Sequence, residues 1–109
     1  MYQIDFNKPT HVHFIGIGGS NMSGLAELLA DRGFTVSGSD RTQNAACERL
    51  SQRGIKVFYG QYAENIAPDT GLVVYTAAIH EDNEELVRAK AAGIPLLNRA
   101  ELDRKSTRL

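Results

Sequence analysis

The chain has 109 residues, 12 basic and 13 acidic side chains and a formal net charge of −1, with 42% hydrophobic and 23% charged residues. That balance fits one ordinary globular domain with a modest core, and it excludes broad electrostatic attraction to nucleic acid or an anionic membrane. No apolar stretch approaches transmembrane length, the start lacks a secretory signal, and the single Cys47 rules out an internal disulfide and fits a reducing compartment, so a cytoplasmic protein is expected.

In chain order, the apolar run beginning at Val12 predicts a strand over 11–15, and Gly16, Gly18 and Gly19 follow it. A helix is expected over 21–32, because Met22, Leu25, Ala26 and Leu29 fall at i, i+3, i+4 and i+7 and make one apolar stripe. Next come a strand over 34–38, a helix over 43–53 and a strand over 55–58. Leu72 to Tyr75 reads as a fourth strand. A third helix is expected over 83–92, with Asp82 and Glu85 at the spacing of a capping pair. The last strand, 95–97, is placed at a sheet edge or starts at Pro95, which has no N–H to donate. Three times a helix-like stretch ends in glycine and an apolar run: Arg32-Gly33-Phe34, Arg53-Gly54-Ile55 and Ala92-Gly93-Ile94. Each copy reads as helix, left-handed cap, strand. The expected fold is α/β, a Rossmann-like parallel sheet flanked by helices in a single domain over 1–109.

The glycine turn carries the chemistry. Strand, tight turn and helix N-terminus together form a pyrophosphate site, through backbone N–H groups and the positive end of the helix dipole. Gly16 is expected to allow the turn and Gly18 the close approach of a ligand phosphate. The fingerprint's third glycine would fall at Asn21; Gly24, three residues on, is the candidate for the missing close packing. Asp40 lies nineteen residues beyond Asn21, where a ribose-binding acid sits in a dinucleotide site. Its alternative role is to cap the second helix or solvate a turn. On this motif alone, a dinucleotide module and another nucleotide site remain open.

Several motifs in order narrow the choice. His13-Phe14-Ile15-Gly16-Ile17-Gly18-Gly19, Met22-Ser23-Gly24-Leu25-Ala26 and Ser37-Gly38-Ser39-Asp40 are followed by Val73-Val74-Tyr75-Thr76-Ala77-Ala78-Ile79, Asp82-Asn83-Glu84, Ala89-Lys90, Gly93-Ile94-Pro95 and Arg99-Ala100-Glu101. Over roughly residues 11–102 the chain resembles the opening of the Mur ligase family of bacterial cell-wall synthesis, in the member that joins L-alanine to UDP-N-acetylmuramate.

The resemblance implies a domain that binds a UDP-sugar instead of NAD. The diphosphate would lie on Gly16, Gly18, Gly19, Ser20, Asn21, Met22 and Ser23, with Asp40 at the uridine end. Thr76, Ala77 and Ala78 would line the diphosphate and sugar path, and His80 follows in the same loop. Arg99 is a candidate for the diphosphate or the lactyl carboxylate because its fork matches such anions; its alternative is an exposed helix start. ATP, magnesium and L-alanine are implied for a full-length enzyme only, with no cofactor in this domain. No G-x-x-x-x-G-K-[ST] phosphate loop occurs in the sequence, so the chain alone is expected to be inactive in ATP hydrolysis and amide formation.

Some positions depart from the family's pattern. Ser20-Asn21 stands where Ile-Gly or Ile-Ser is common, and Gln61 where many relatives have histidine. The tail after Leu102 does not continue an apolar helix.

His11, His13, His80 and Cys47 lack metal-ligand spacing, so no metal is expected. His11 and His13 read as structural residues on one strand face. Glu81, Asp82, Glu84 and Glu85 read as helix-capping acids, not a catalytic dyad. The competing functions are an NAD(P)-binding module of an oxidoreductase or nucleotide sensor, and a related ligase that recycles muramyl peptides.

Overall fold

The computed structural model describes residues 4–106. Five parallel strands, β1 (His11–Ile15), β2 (Thr35–Asp40), β3 (Lys56–Tyr59), β4 (Thr70–Tyr75) and β5 (Leu96–Asn98), form one sheet in the order β3-β2-β1-β4-β5. The helices are α1 (Ser20–Asp31), α2 (Ala45–Gln52), α3 (Glu84–Ala91) and α4 (Arg99–Ser106), with a 3₁₀ turn at Ala63–Asn65. This is the expected Rossmann-like arrangement. The strand order reverses between β1 and β4, so the connections after these two strands diverge and leave a crevice at their carboxyl ends.

Strand alternation sorts the side chains into two layers. Val12, Phe14, Val36, Leu72, Val74 and Leu97 join Leu25 and Leu29 of α1, Leu50 of α2 and Leu102 of α4 in the larger core. On the other face Ile15 and Val73 pack with Ile66 and with Leu86 and Ala89 of α3. His13, Ser37 and Ser39 are buried on this second face.

The three glycine caps share one geometry. Gly33, Gly54 and Gly93 have φ of 90°, 85° and 72°. In each copy the residue after the glycine donates its N–H five residues back: Phe34 to Leu29, Ile55 to Leu50, Ile94 to Ala89. This is the Schellman closure, and it turns α1, α2 and α3 directly into the strands that follow them.

Four expectations change. The region after β5 forms α4 through Ser106, because Asn98 Oδ1 accepts the Ala100 N–H at 2.9 Å and Leu102 is fully buried. Asn83, not Asp82, caps α3, accepting the N–H groups of Glu85 and Leu86. Glu85 is not a solvated capping acid but is fully buried. Gly24 supplies no close packing, since a Cβ there would meet nothing within 4 Å. Gly38 does: a Cβ would lie 2.6 Å from Ile17 Cβ and 2.8 Å from the Phe14 carbonyl.

Candidate functional site

A cleft of about 340 Å³ opens at the carboxyl edge of β1 and β4. The β1–α1 connection contributes Gly16 and Gly19, flanked by Ile15 of β1 and Met22 of α1; Asp40 ends β2 and Arg41 follows it. Gln61 comes from the loop after β3, and Thr76, Ala78, Ile79 and His80 from the loop after β4. The structure thus brings Gly16, Gly19, Met22, Asp40, Thr76, Ala78 and His80 together as the sequence suggested.

The backbone of the turn is largely committed to itself. The N–H groups of Gly16 and Ile17 both donate to the Ser39 carbonyl at 2.8 Å, and Gly19 donates to the Gly16 carbonyl at 3.2 Å. Gly18 donates to Asp40 Oδ2 at 2.9 Å. A Cβ on Gly18 would lie 2.7 Å from that oxygen and 2.7 Å from Cys47 Sγ. Close approach is needed at Gly18, but by the protein's own carboxylate. Asp40 does not cap α2; Asn44 does, accepting the Cys47 N–H at 2.8 Å.

The donors left for an anion lie one turn further on. α1 begins after Gly19 with no side-chain cap and no acid in its first turn. Its first internal bond is from Ser23 N–H to the Gly19 carbonyl at 2.8 Å. The N–H groups of Ser20, Asn21 and Met22 precede that bond and point out of the helix N-terminus, where the dipole favours negative charge. Ser20 and Asn21 are exposed there. Ser23 is buried and donates its hydroxyl to the Ser20 carbonyl at 3.1 Å.

Across the cleft, Thr76 Oγ1 accepts the Ala78 N–H at 3.3 Å, which leaves the hydroxyl proton for another acceptor. Ala77 is exposed in the same loop and His80 is exposed at the rim. Arg99 begins α4 after β5 and does not line the cleft. Sequence reasoning did not single out Arg41, an exposed cation that lines it; the signal was its place beside Asp40. Gln61 faces the cleft and accepts the Asn83 Nδ2–H at 2.8 Å. Burial, then the negative charge of Asp40, pushes the Cys47 thiol up in pKa, so at neutral pH it stays a protonated, packed side chain.

Beneath the turn lies a polar cluster that sequence alone did not reveal as one. His13 Nε2 meets Glu85 Oε1 at 2.6 Å, both side chains fully buried. Ser39 Oγ donates to Glu85 Oε1 and Asn65 Nδ2 to Glu85 Oε2, each at 2.8 Å.

Residues 11–105 match the model of the Mur ligase family, catalytic domain. The chain belongs to the Mur ligase family. It is 63% identical over 102 residues to the UDP-N-acetylmuramate–L-alanine ligase of Agathobacter rectalis, covering 94% of this chain and 22% of that relative. Among solved structures it resembles the UDP-N-acetylmuramate–alanine ligase of Thermotoga maritima, with a TM-score of 0.87 and 34% identity over 91% of this chain and 23% of that one. A ligase from Neisseria meningitides that joins UDP-N-acetylmuramate to L-alanyl-γ-D-glutamyl-meso-diaminopimelate is similar at a TM-score of 0.76 and 28% identity, covering 84% and 29%. The chain therefore spans about a fifth of the length of the L-alanine ligases that it matches.

Proposed function

We propose that this chain holds UDP-N-acetylmuramate by its UDP end, as the substrate-holding domain of a ligase that adds L-alanine in peptidoglycan synthesis. The observation that carries this reading is the set of first-turn N–H groups of α1, uncapped beside a cleft at the point where the strand order reverses. The diphosphate sits against Ser20, Asn21 and Met22, with Arg41 and the Thr76 hydroxyl on its flanks. Asp40 acts on the uridine side chiefly by fixing the turn through Gly18. The closer likeness to L-alanine ligases favours that acceptor over a muramyl peptide.

The domain's contribution is positioning. Fixing the UDP end leaves the lactyl carboxylate as the free end of the ligand, presented at one place for reaction. Activation of that carboxylate by ATP and magnesium, and attack by the amine of L-alanine, are proposed for a full-length ligase only. These residues do not fit that part of the chemistry. The sequence has no phosphate loop, and among the described residues no group of three or more His, Cys, Asp or Glu is placed to hold a metal. A cytoplasmic site of action goes with this reading; among the described residues no helix is long and apolar enough to cross a membrane.

A thermal-shift titration with UDP-N-acetylmuramate, UDP, NAD and NADP tests it. Ligand at about one hundred times its dissociation constant adds about 2.7 kcal/mol, several degrees in a domain this small. Stabilisation by the two UDP ligands alone is expected. Stabilisation by NAD or NADP without UDP would replace this reading with a dinucleotide module.

A further inference from the structure

One chain of hydrogen bonds runs from the surface to a buried carboxylate on α3. Asp69 Oδ1, in the loop before β4, meets His11 Nδ1 at 2.9 Å. His11 Nε2 meets Ser37 Oγ at 2.7 Å, and Ser37 Oγ meets His13 Nδ1 at 2.8 Å. His13 Nε2 meets Glu85 Oε1 at 2.6 Å. Asp69 is exposed, whereas the chain from Ser37 to Glu85 is buried.

Proton counting decides what this chain holds. Four links need four protons, one for each. Two neutral imidazoles bring one apiece and the Ser37 hydroxyl brings one. With both terminal carboxylates ionised, the relay is one proton short. Without the fourth proton, two lone pairs face each other at one link. At the three inner links that is costly because water cannot intervene; at the exposed Asp69–His11 link it is at odds with the 2.9 Å contact. The fourth proton rests on an imidazole or on the Glu85 carboxyl, and the count is the same either way.

The relay is tied to the glycine turn at one remove. Ser39 gives its hydroxyl to Glu85, while its carbonyl accepts both the Gly16 and Ile17 N–H groups of the glycine turn. On the opposite side Asn65 joins Glu85 to the Gly60 carbonyl at 2.9 Å, beside Gln61. We propose that the Asp69–His11–Ser37–His13–Glu85 relay stores one proton, and that Glu85 is a positioning residue which, through Ser39, sets the glycine turn for ligand. The ligand part rests on the function proposed above; the proton count does not.

The other charged and titratable groups nearby are few. Lys56 of β3 stands in register with Ser37, its ammonium 5.4 Å from the centre of the Phe58 ring. Tyr75 is on β4, two residues beyond Val73, the partner of His13. On α3 and the 3₁₀ turn, Arg88 and Glu64 are exposed. The ion pair made by Glu85 is with His13. The Asp69 carboxyl is held below its ordinary pKa by the bond to His11, consistent with an ionised end.

The test uses NMR of the isotopically labelled chain in a pH series. The ring nitrogens of His11 and His13 and the carboxyl carbon of Glu85 should show one proton beyond two neutral imidazoles. As that proton leaves on raising the pH, the Gly16 and Ile17 amide signals should move with it. Asp69→Asn changes an exposed end and brings an amide N–H that can donate to His11 Nδ1, so all four links are met without an added proton. The buried cluster should stay folded, lose the extra proton and lose the pH response of the turn. Glu85→Gln should weaken UDP binding about tenfold and flatten its pH profile. Two neutral imidazoles with an ionised Glu85 in the parent chain would overturn the stored proton. A turn that ignores the relay's titration, or the same response in Asp69→Asn, would overturn the positioning role. Failure of the parent chain to bind UDP would count against the proposed function, while the amide signals still decide the relay.

Discussion

The carboxylate of Asp40 accepts the N–H of Gly18 at 2.9 Å, so an acid at the end of β2 completes the turn at the end of β1. In Asp40→Ala the Gly18 N–H loses its acceptor in a half-buried turn, at a cost of about 1–2 kcal/mol. Asp40→Asn keeps an acceptor oxygen and should cost less. Urea unfolding of both variants checks the order; no cost in Asp40→Ala would show that the bond contributes nothing.

Gly38 and Gly24 should respond in opposite directions. Gly38→Ala drives a methyl to 2.6 Å from Ile17 Cβ and 2.8 Å from a backbone oxygen, which should cost about 1–3 kcal/mol. Gly24→Ala meets open space in the middle of α1 and should stabilise by up to about 1 kcal/mol through helix propensity. Thermal unfolding of the pair reads both signs.

Stability should carry an acid limb from Glu27. The Arg53 guanidinium, and then Arg49, hold the Glu27 carboxyl below its ordinary value, joining α1 to α2; Arg53 also pairs with Asp31. A depressed folded-state pKa adds stability above the unfolded value, and that stability is lost as pH falls through the folded one. The parent chain should therefore exceed Glu27→Gln in stability near neutral pH. The gap should close in acid and shrink in salt, because the pair is mostly solvated. A gap that persists in strong acid would assign the difference to packing.

Among the described residues of α4, Leu102 is the buried one. Leu102 is fully buried in the larger core, whereas Asp103 and Arg104 are exposed. Leu102→Ala should cost about 2–5 kcal/mol, and Asp103→Ala almost nothing. Comparison of their urea midpoints checks it, with a small loss in Leu102→Ala showing that α4 docks by other means.

Features that were legible in the sequence are local ones. The helix–glycine–strand caps need only neighbouring residues, and all three fold as expected. The turn after β1 and the loop after β4 converge because a parallel sheet that reverses its strand order must place them together. What was hidden depends on distant partners. Glu85 reads as a capping acid until His13, 72 residues away, and Ser39, 46 residues away, are brought against it. Gly18 looks like a ligand contact until Asp40 is seen to take its N–H. α4 was not assigned because one leucine in a polar stretch leaves no periodic signal, although a helix start was one of the two readings of Arg99, and there it lies, outside the cleft.

The two faces of the sheet are insured differently. α1, α2 and α4 cover one face over the larger apolar core, while α3 covers the other over a smaller apolar cluster joined to the polar Glu85 cluster. Water can substitute for the partners that Glu85, His13 and Asn65 lose when α3 lifts; it cannot substitute for the contacts of Phe14 or Leu72. Partial opening should therefore start at α3, and its amides should exchange with solvent before those of β1. A ligand gripping the cleft would then tighten the layer that breathes most, and amide protection there would register binding even with no displacement of the backbone.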